Sequence, residues 1–161
     1  MIFYDFLKQP ASKKIKYSVI LILFITSCNL TGTIYPYKWQ IPVKINTVQE
    51  ALDYVDDNYT YTPKYGVFLP DEFYEYGYGD CEDFALMFQY ILETQLNIKA
   101  DLVGGHYNNS ETWHMWVESE GNIYEPTAGV MNNYPELYQE LYRYEYPESV
   151  YMVRGDGGFT P

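Results

Sequence analysis

The chain has 161 residues and a formal net charge of −12, with 22 acidic side chains against 10 basic ones. That is enough chain for one compact domain with a real core and too little for two. So acidic a protein will not hold nucleic acid through its phosphates, and anionic lipid should repel it wherever no anchor intervenes.

Residues 1–28 read as an export leader. Lys13, Lys14 and Lys16 form a basic start, and residues 19–25 form an apolar run too short for a comfortable transmembrane helix. The run ends in Ile25-Thr26-Ser27-Cys28, which resembles a bacterial lipobox, whose cysteine is acylated and becomes the new N-terminus. The alternative is an ordinary signal peptide with a chance cysteine. The lipobox implies a protein anchored to the membrane through lipid on Cys28. Such a protein lies in the bacterial cell envelope, extracytoplasmic, on the periplasmic face of the outer membrane in a diderm cell. With Cys28 consumed, Cys81 has no disulfide partner, and an unpaired thiol in an exported chain marks a reactive group.

Residues 29–44 read as a tether running into an extended arm, and residues 45–154 as the domain. Thr47 is placed to cap a helix, with Glu50 closing the box and Val48, Leu52 and Val55 on one face. Residues 58–78 read as loop, with Pro63, Gly66, Pro70 and Gly77 among many tyrosines. Asp80 then caps a second helix, with Asp83 three residues on to close the pair. Cys81, Phe84, Ala85, Phe88, Ile91, Leu92 and Leu96 recur at helical spacing, so Cys81 opens a buried face of about four turns. Residues 98–103 alternate like a strand that Gly104-Gly105 lets bend or bulge, and residues 106–111 read as a polar loop. Two strand-like runs, 112–118 and 123–127, flank Glu120-Gly121, a good hairpin turn. Residues 137–144 read as a short helix, 150–153 as a last strand and 155–161 as a flexible tail.

A thiol in the first turn of a helix sees the positive end of its dipole and free amide groups. Both favour the thiolate, and the amides can hold a developing oxyanion. The plainer reading of Cys81 is a buried structural cysteine. The hairpin supplies what that reading lacks. With Glu120-Gly121 as the turn, Trp116 faces Glu125 and His114 faces Thr127, so His114, Trp116 and Glu125 share one face. His114 and Glu125 are then diagonal neighbours within hydrogen-bond reach; a turn shifted by one residue would lose that contact. If this face covers the start of the Cys81 helix, the set is a nucleophile, a base and a group that orients the base. Taken singly, His114 reads as a satisfied half-buried histidine and Glu125 as an ordinary strand acid; the conjunction favours chemistry. His106 has no acid placed to orient it, and Cys81, His106 and His114 offer no pair at metal-motif spacing for zinc.

These residues carry a resemblance. Tyr78-Gly79-Asp80-Cys81-Glu82-Asp83-Phe84-Ala85, then His114-Met115-Trp116-Val117-Glu118, then Tyr124-Glu125-Pro126-Thr127 resemble the transglutaminase-like superfamily over about residues 45–130. The resemblance implies an α+β fold with a papain/transglutaminase-like core, in which the cysteine helix packs on a small antiparallel sheet. It also implies catalytic roles for Cys81, His114 and Glu125. The family includes protein cross-linking enzymes and, in bacteria, cysteine peptidases and amidases. Asp80-Cys81-Glu82 also resembles periplasmic calcium-dependent cysteine proteases that release surface adhesins. Glu125 stands where the family usually has Asp, and Met115 where it has a small residue.

The three carboxylates around the sulfur conflict with its ionisation, because a like charge disfavours the thiolate. Capping turns Asp80 and Asp83 toward the backbone, but Glu82 has no such use. Asp80 and Glu82 suit a hard cation such as Ca²⁺, as the resemblance to the calcium-dependent proteases implies. No other cofactor is required. The expectation is an envelope-anchored thiol enzyme, a cysteine peptidase, amidase or transglutaminase-like acyl transferase, acting on a protein or peptide in the envelope. The alternative is a non-catalytic lipoprotein that uses the same fold to bind a peptide, glycan or envelope partner.

Overall fold

The computed structural model describes residues 37–156. The leader, Cys28, residues 29–36 and the tail beyond 156 lie outside the described residues. An extended arm leads into helix α1 (Val48–Asn58), whose cap is the one expected: Thr47 Oγ1 accepts from the Glu50 amide at 3.1 Å. Glu50 reaches one residue further back than a capping box requires, accepting from the Asn46 amide at 2.8 Å. Ala51, Leu52 and Val55 are buried.

The segment expected to be loop contains a short parallel pair, β1 (Thr60–Tyr61) with β2 (Tyr78–Gly79), and between them a seven-residue helix, α2 (Pro70–Tyr76). That correction has a local cause. Pro70 is preorganised for the first turn, the Glu72 carboxylate accepts from the Leu69 amide at 2.9 Å, and Gly77 ends the helix at φ 73°.

Helix α3 (Cys81–Ile91) is the centre of the domain, and it runs on into a π-helical turn over Leu92–Leu96 that Asn97 ends at φ 55°. Every residue of α3 except Glu82 is buried, so the helix is covered all round and not along one stripe as the spacing suggested. Helices α1 and α2 pack on one side of it and the sheet on the other. Each fully buried Phe or Leu here contributes about 1.5–3 kcal/mol of hydrophobic stabilisation.

The sheet has five strands in the order β6-β5-β4-β3-β7, all antiparallel. They are β3 (Asp101–Tyr107), β4 (Trp113–Ser119), β5 (Asn122–Glu125), β6 (Val130–Asn132) and β7 (Tyr138–Glu145). The hairpin register is the expected one, with Ser119 opposite Asn122 and positive φ at Glu120 and Gly121. Strand β3 does not give way to a loop at His106 but continues to Tyr107. Its bulge does fall at Gly104/Gly105, against β7. A Cβ on Gly105 would lie 2.0 Å from the Gln139 carbonyl oxygen, so only glycine lets β7 approach this closely.

Two further expectations are corrected. Residues 138–144 lie in strand β7 and not in a helix, with only Leu137 in a short 3-10 turn (Pro135–Leu137), because the free edge of β3 offers them a ladder that their own spacing does not reveal. Residues 150–153 lie within helix α4 (Glu148–Asp156), which buries Ser149, Val150 and Val153 at three- and four-residue spacing. That helix also runs into the expected tail at 155–156.

Alternation divides the sheet. Leu102, Met115, Val117 and Tyr124 face α3 in the main core, whereas Val103, Trp116 and Ile123 form a small cluster on the opposite face with Tyr138 against it. One polar residue ties the layers together. Buried Gln89 of α3 donates to the carbonyls of Ala100 (2.9 Å) and Tyr144 (3.1 Å) and accepts from the Ser149 hydroxyl at 2.5 Å.

Candidate active site

The start of α3 is locked before any chemistry is considered. Asp80 Oδ1 accepts from the Glu82 amide (3.2 Å), and Asp83 Oδ2 accepts from the Asp80 amide (2.8 Å), giving the expected reciprocal cap. Asp83 also accepts from the Phe68 amide at 2.6 Å and pairs with Lys64 at 2.9 Å, which ties the preceding loop to the cap. Buried Asp83 is pushed up to about 6, by desolvation first, against the hydrogen bonds from Phe68, Lys64 and Asp80.

Cys81, the first residue of α3, is only 8% exposed. Burial pushes its thiol up to about 12. The amides of Met115 and Cys81 itself oppose that shift, while Asp80 and Glu82 add repulsion. The helix dipole was expected to favour the thiolate; desolvation outweighs it, and the resting sulfur is a neutral thiol.

His114 sits on β4, next to Met115. Its Nε2 bonds Glu125 Oε2 at 2.7 Å, as the hairpin register predicted. Its ring lies between Tyr107 (6.0 Å between centroids) and Trp116 (6.3 Å). Glu125 is itself held: its Oε1 accepts from the Tyr138 hydroxyl at 2.7 Å, and that hydroxyl accepts from Asn132 Nδ2 at 2.8 Å. Sequence reading missed Tyr138 and Asn132. Nothing local marks them, since they reach Glu125 only once β6 and β7 are in place. The bond to Glu125 leaves Nδ1 as the ring nitrogen available to a sulfur. Met115, one residue along β4, is buried in the same core cluster as Cys81, and its amide works to lower the thiol pKa.

A cavity of about 400 Å³ opens beside the imidazole, lined by Tyr61, Tyr107, Trp113, His114, Glu125 and Asn132 among others. A larger one, about 640 Å³, lies between residues 37–44 and the end of α3, away from the thiol. His106 stands on β3 with Nδ1 3.5 Å from the Thr112 carbonyl.

The profile of the transglutaminase-like superfamily matches residues 39–129, an interval that holds Cys81, His114 and Glu125. The chain belongs to the transglutaminase-like superfamily. Among solved structures it is similar to Legionella pneumophila LapG in its calcium-bound form. The TM-score is 0.50 and the identity 21%, over 64% of this chain and 68% of that one. No curated protein sequence matches the chain. The transglutaminase-like fold accounts for the layout of helix α3 on an antiparallel sheet.

The carboxylates at the start of α3 fit a cation by donor chemistry. Glu82 is pushed up to about 7, by burial first and then by Asp80 and Asp83, with Lys64 and the Trp113 indole pulling the other way. That indole N–H is buried without a hydrogen-bond partner of normal length. Glu82 thus keeps its proton to an unusually high pH and has no ion-pair partner among the described residues, while both oxygens of Asp83 are engaged. Among the described residues no third Asp, Glu, His or Cys completes a metal cluster with Asp80 and Glu82. Backbone carbonyls and water would supply the remaining ligands.

Proposed function

We propose that this protein is a thiol enzyme acting on amide bonds, a peptidase, amidase or acyl transferase, with Cys81 as nucleophile, His114 as base and Glu125 as the group that orients it. The observation that carries this reading is the 2.7 Å His114 Nε2–Glu125 bond, on the strand whose next residue, Met115, is buried in one core cluster with Cys81. In the reaction the Cys81 proton passes to His114 Nδ1 as sulfur attacks the carbonyl carbon. The Cys81 amide takes part of the charge on oxygen, and His114 returns the proton to the leaving amine. Water or a second amine then resolves the thioester. Tyr138 and Asn132 hold Glu125, and Glu125 holds the imidazole.

Buried Cys81 favours a second reading, in which the fold binds a peptide or glycan and the thiol is only structural. Iodoacetamide separates the two. On the enzyme reading the folded protein alkylates at Cys81 at neutral pH, and His114→Ala removes that reactivity. Alkylation only after unfolding would overturn the enzyme reading and leave Cys81 a structural thiol.

We further propose that the chain is exported and anchored through lipid on Cys28, so that its protein or peptide substrate lies in the envelope. The basic–apolar–Ile25-Thr26-Ser27-Cys28 order supports this. The full chain expressed in a bacterium should take up labelled fatty acid, and a Cys28→Ala form that still partitions into detergent would refute it.

Asp80 and Glu82 are proposed to hold Ca²⁺, supported by the likeness to calcium-bound LapG. When bound, the ion would cancel the repulsion at the start of α3. The pH dependence fixes the sign of the test. The folded protein holds the Glu82 proton up to about pH 7, against an ordinary value of 4.5, so this group lowers stability as pH rises from 4.5 through 7. Metal-free Glu82→Gln should therefore be more stable than the parent at pH 8, by about 1–2 kcal/mol after discounting for solvent screening, and no more stable at pH 4.5. Calcium should raise the parent's melting temperature at pH 8 and leave the variant's unchanged. A calorimetric titration with no heat at millimolar Ca²⁺ would rule the ion out.

A further inference from the structure

We propose that the phenol hydroxyl of Tyr61 is the second oxyanion donor of this site, working beside the Cys81 amide. The inference rests on the reading of Cys81 and His114 as nucleophile and base. One donor is too few for a charge that such sites hold with two or more. The buried Trp113 indole N–H is closed to a substrate oxygen.

Tyr61 is fixed to the right place by backbone. It pairs with Gly79, two residues before Cys81, and the next amide, Thr62, donates to the Gly79 carbonyl at 2.7 Å. Its ring leans on Phe84, 6.2 Å between centroids, and Phe84 is one turn beyond Cys81 on the same stripe of α3. The same side chain lines the 400 Å³ cavity with His114 and Glu125. Tyr61 thus spans the gap between the start of the cysteine helix and the histidine groove. It is 51% exposed, so a ligand can meet it. Burial and the nearby Cys81 sulfur and Asp80 carboxylate raise its pKa, so the hydroxyl keeps its proton at neutral pH and can donate it in a hydrogen bond.

Two reagents isolate the role. With p-nitrophenyl acetate, Cys81 sulfur forms a bond to the acetyl carbon while its proton passes to His114. The carbonyl π pair moves onto oxygen, then returns as the C–O bond breaks and p-nitrophenolate leaves. Iodoacetamide alkylates the same sulfur by displacing iodide, with no oxyanion. Tyr61→Phe should slow Cys81-dependent p-nitrophenolate release by about 10²-fold, leave alkylation within about twofold, and melt with the parent. Unchanged acylation in the variant overturns the assignment while the thiol enzyme stands. An equal fall in both rates also overturns it, since Tyr61 would then act on the thiol. A parent that neither acylates nor alkylates at Cys81 while folded removes both readings.

Discussion

Replacing His114 by alanine should slow Cys81-dependent turnover of an ester probe by about 10²–10⁴-fold, the usual weight of positioned acid–base help. The effect should stand near the top of that range. With the thiol pushed up to about 12, almost no thiolate exists at neutral pH unless a base takes the proton during attack. Glu125→Gln should cost less, because the amide oxygen can still accept from Nε2 and the amide N–H can donate to a Tyr138 hydroxyl turned to accept it. Adding either change to Cys81→Ala should do nothing more, since the three act as one unit. Steady-state kinetics at several pH values provide the check. A His114→Ala protein within threefold of the parent would end the case for this histidine as base.

Gln89→Leu should destabilise the domain by about 3–5 kcal/mol, more than any single surface change. The substitution keeps the volume and removes three hydrogen bonds at once. The carbonyls of Ala100 and Tyr144 and the Ser149 hydroxyl lose this partner, and Gln89, Ala100 and Ser149 are fully buried. The loss should appear in urea unfolding as a lower midpoint with an unchanged slope. A shift below about 1 kcal/mol would mean that water enters and replaces the glutamine.

What sequence made legible was local. Asp80 and Asp83 could be read as a cap because the pattern needs only three residues. The His114–Glu125 bond followed from the two-residue turn at Glu120-Gly121, which sets the register of everything beyond it. Strand β7 was hidden because Leu137, Leu141 and Tyr144 suit a helix, and only the unpaired edge of β3 overrides them. Tyr138 was lost with it, and so was the support behind Glu125. The protonated state of Cys81 was hidden for the same reason. The dipole is a property of one helix, but the burial that outweighs it comes from elements far apart in the chain. Helix α2 is a different case: Pro70, Asp71, Glu72 and Gly77 are sufficient signals, and the density of turn residues around them obscured the segment.

The two open edges of the sheet differ in a way that bears on self-association. An unpaired strand edge is a template for another copy of the chain. The β6 edge, with exposed Val130 and Met131, is three residues long, too short to seed a ladder, whereas β7 exposes Leu141 and Tyr142 over a longer run. The long edge, β7, is bent by its partner's bulge and carries Glu140, Arg143 and Glu145. Arg143 is already engaged by Asp101 (2.8 Å), Glu118 (2.6 Å) and Glu140 (2.6 Å). Its charge is therefore spent within its own chain, and a second copy reaching β7 meets surplus carboxylates. The edge long enough to propagate a fibril is thus the one whose charge opposes it.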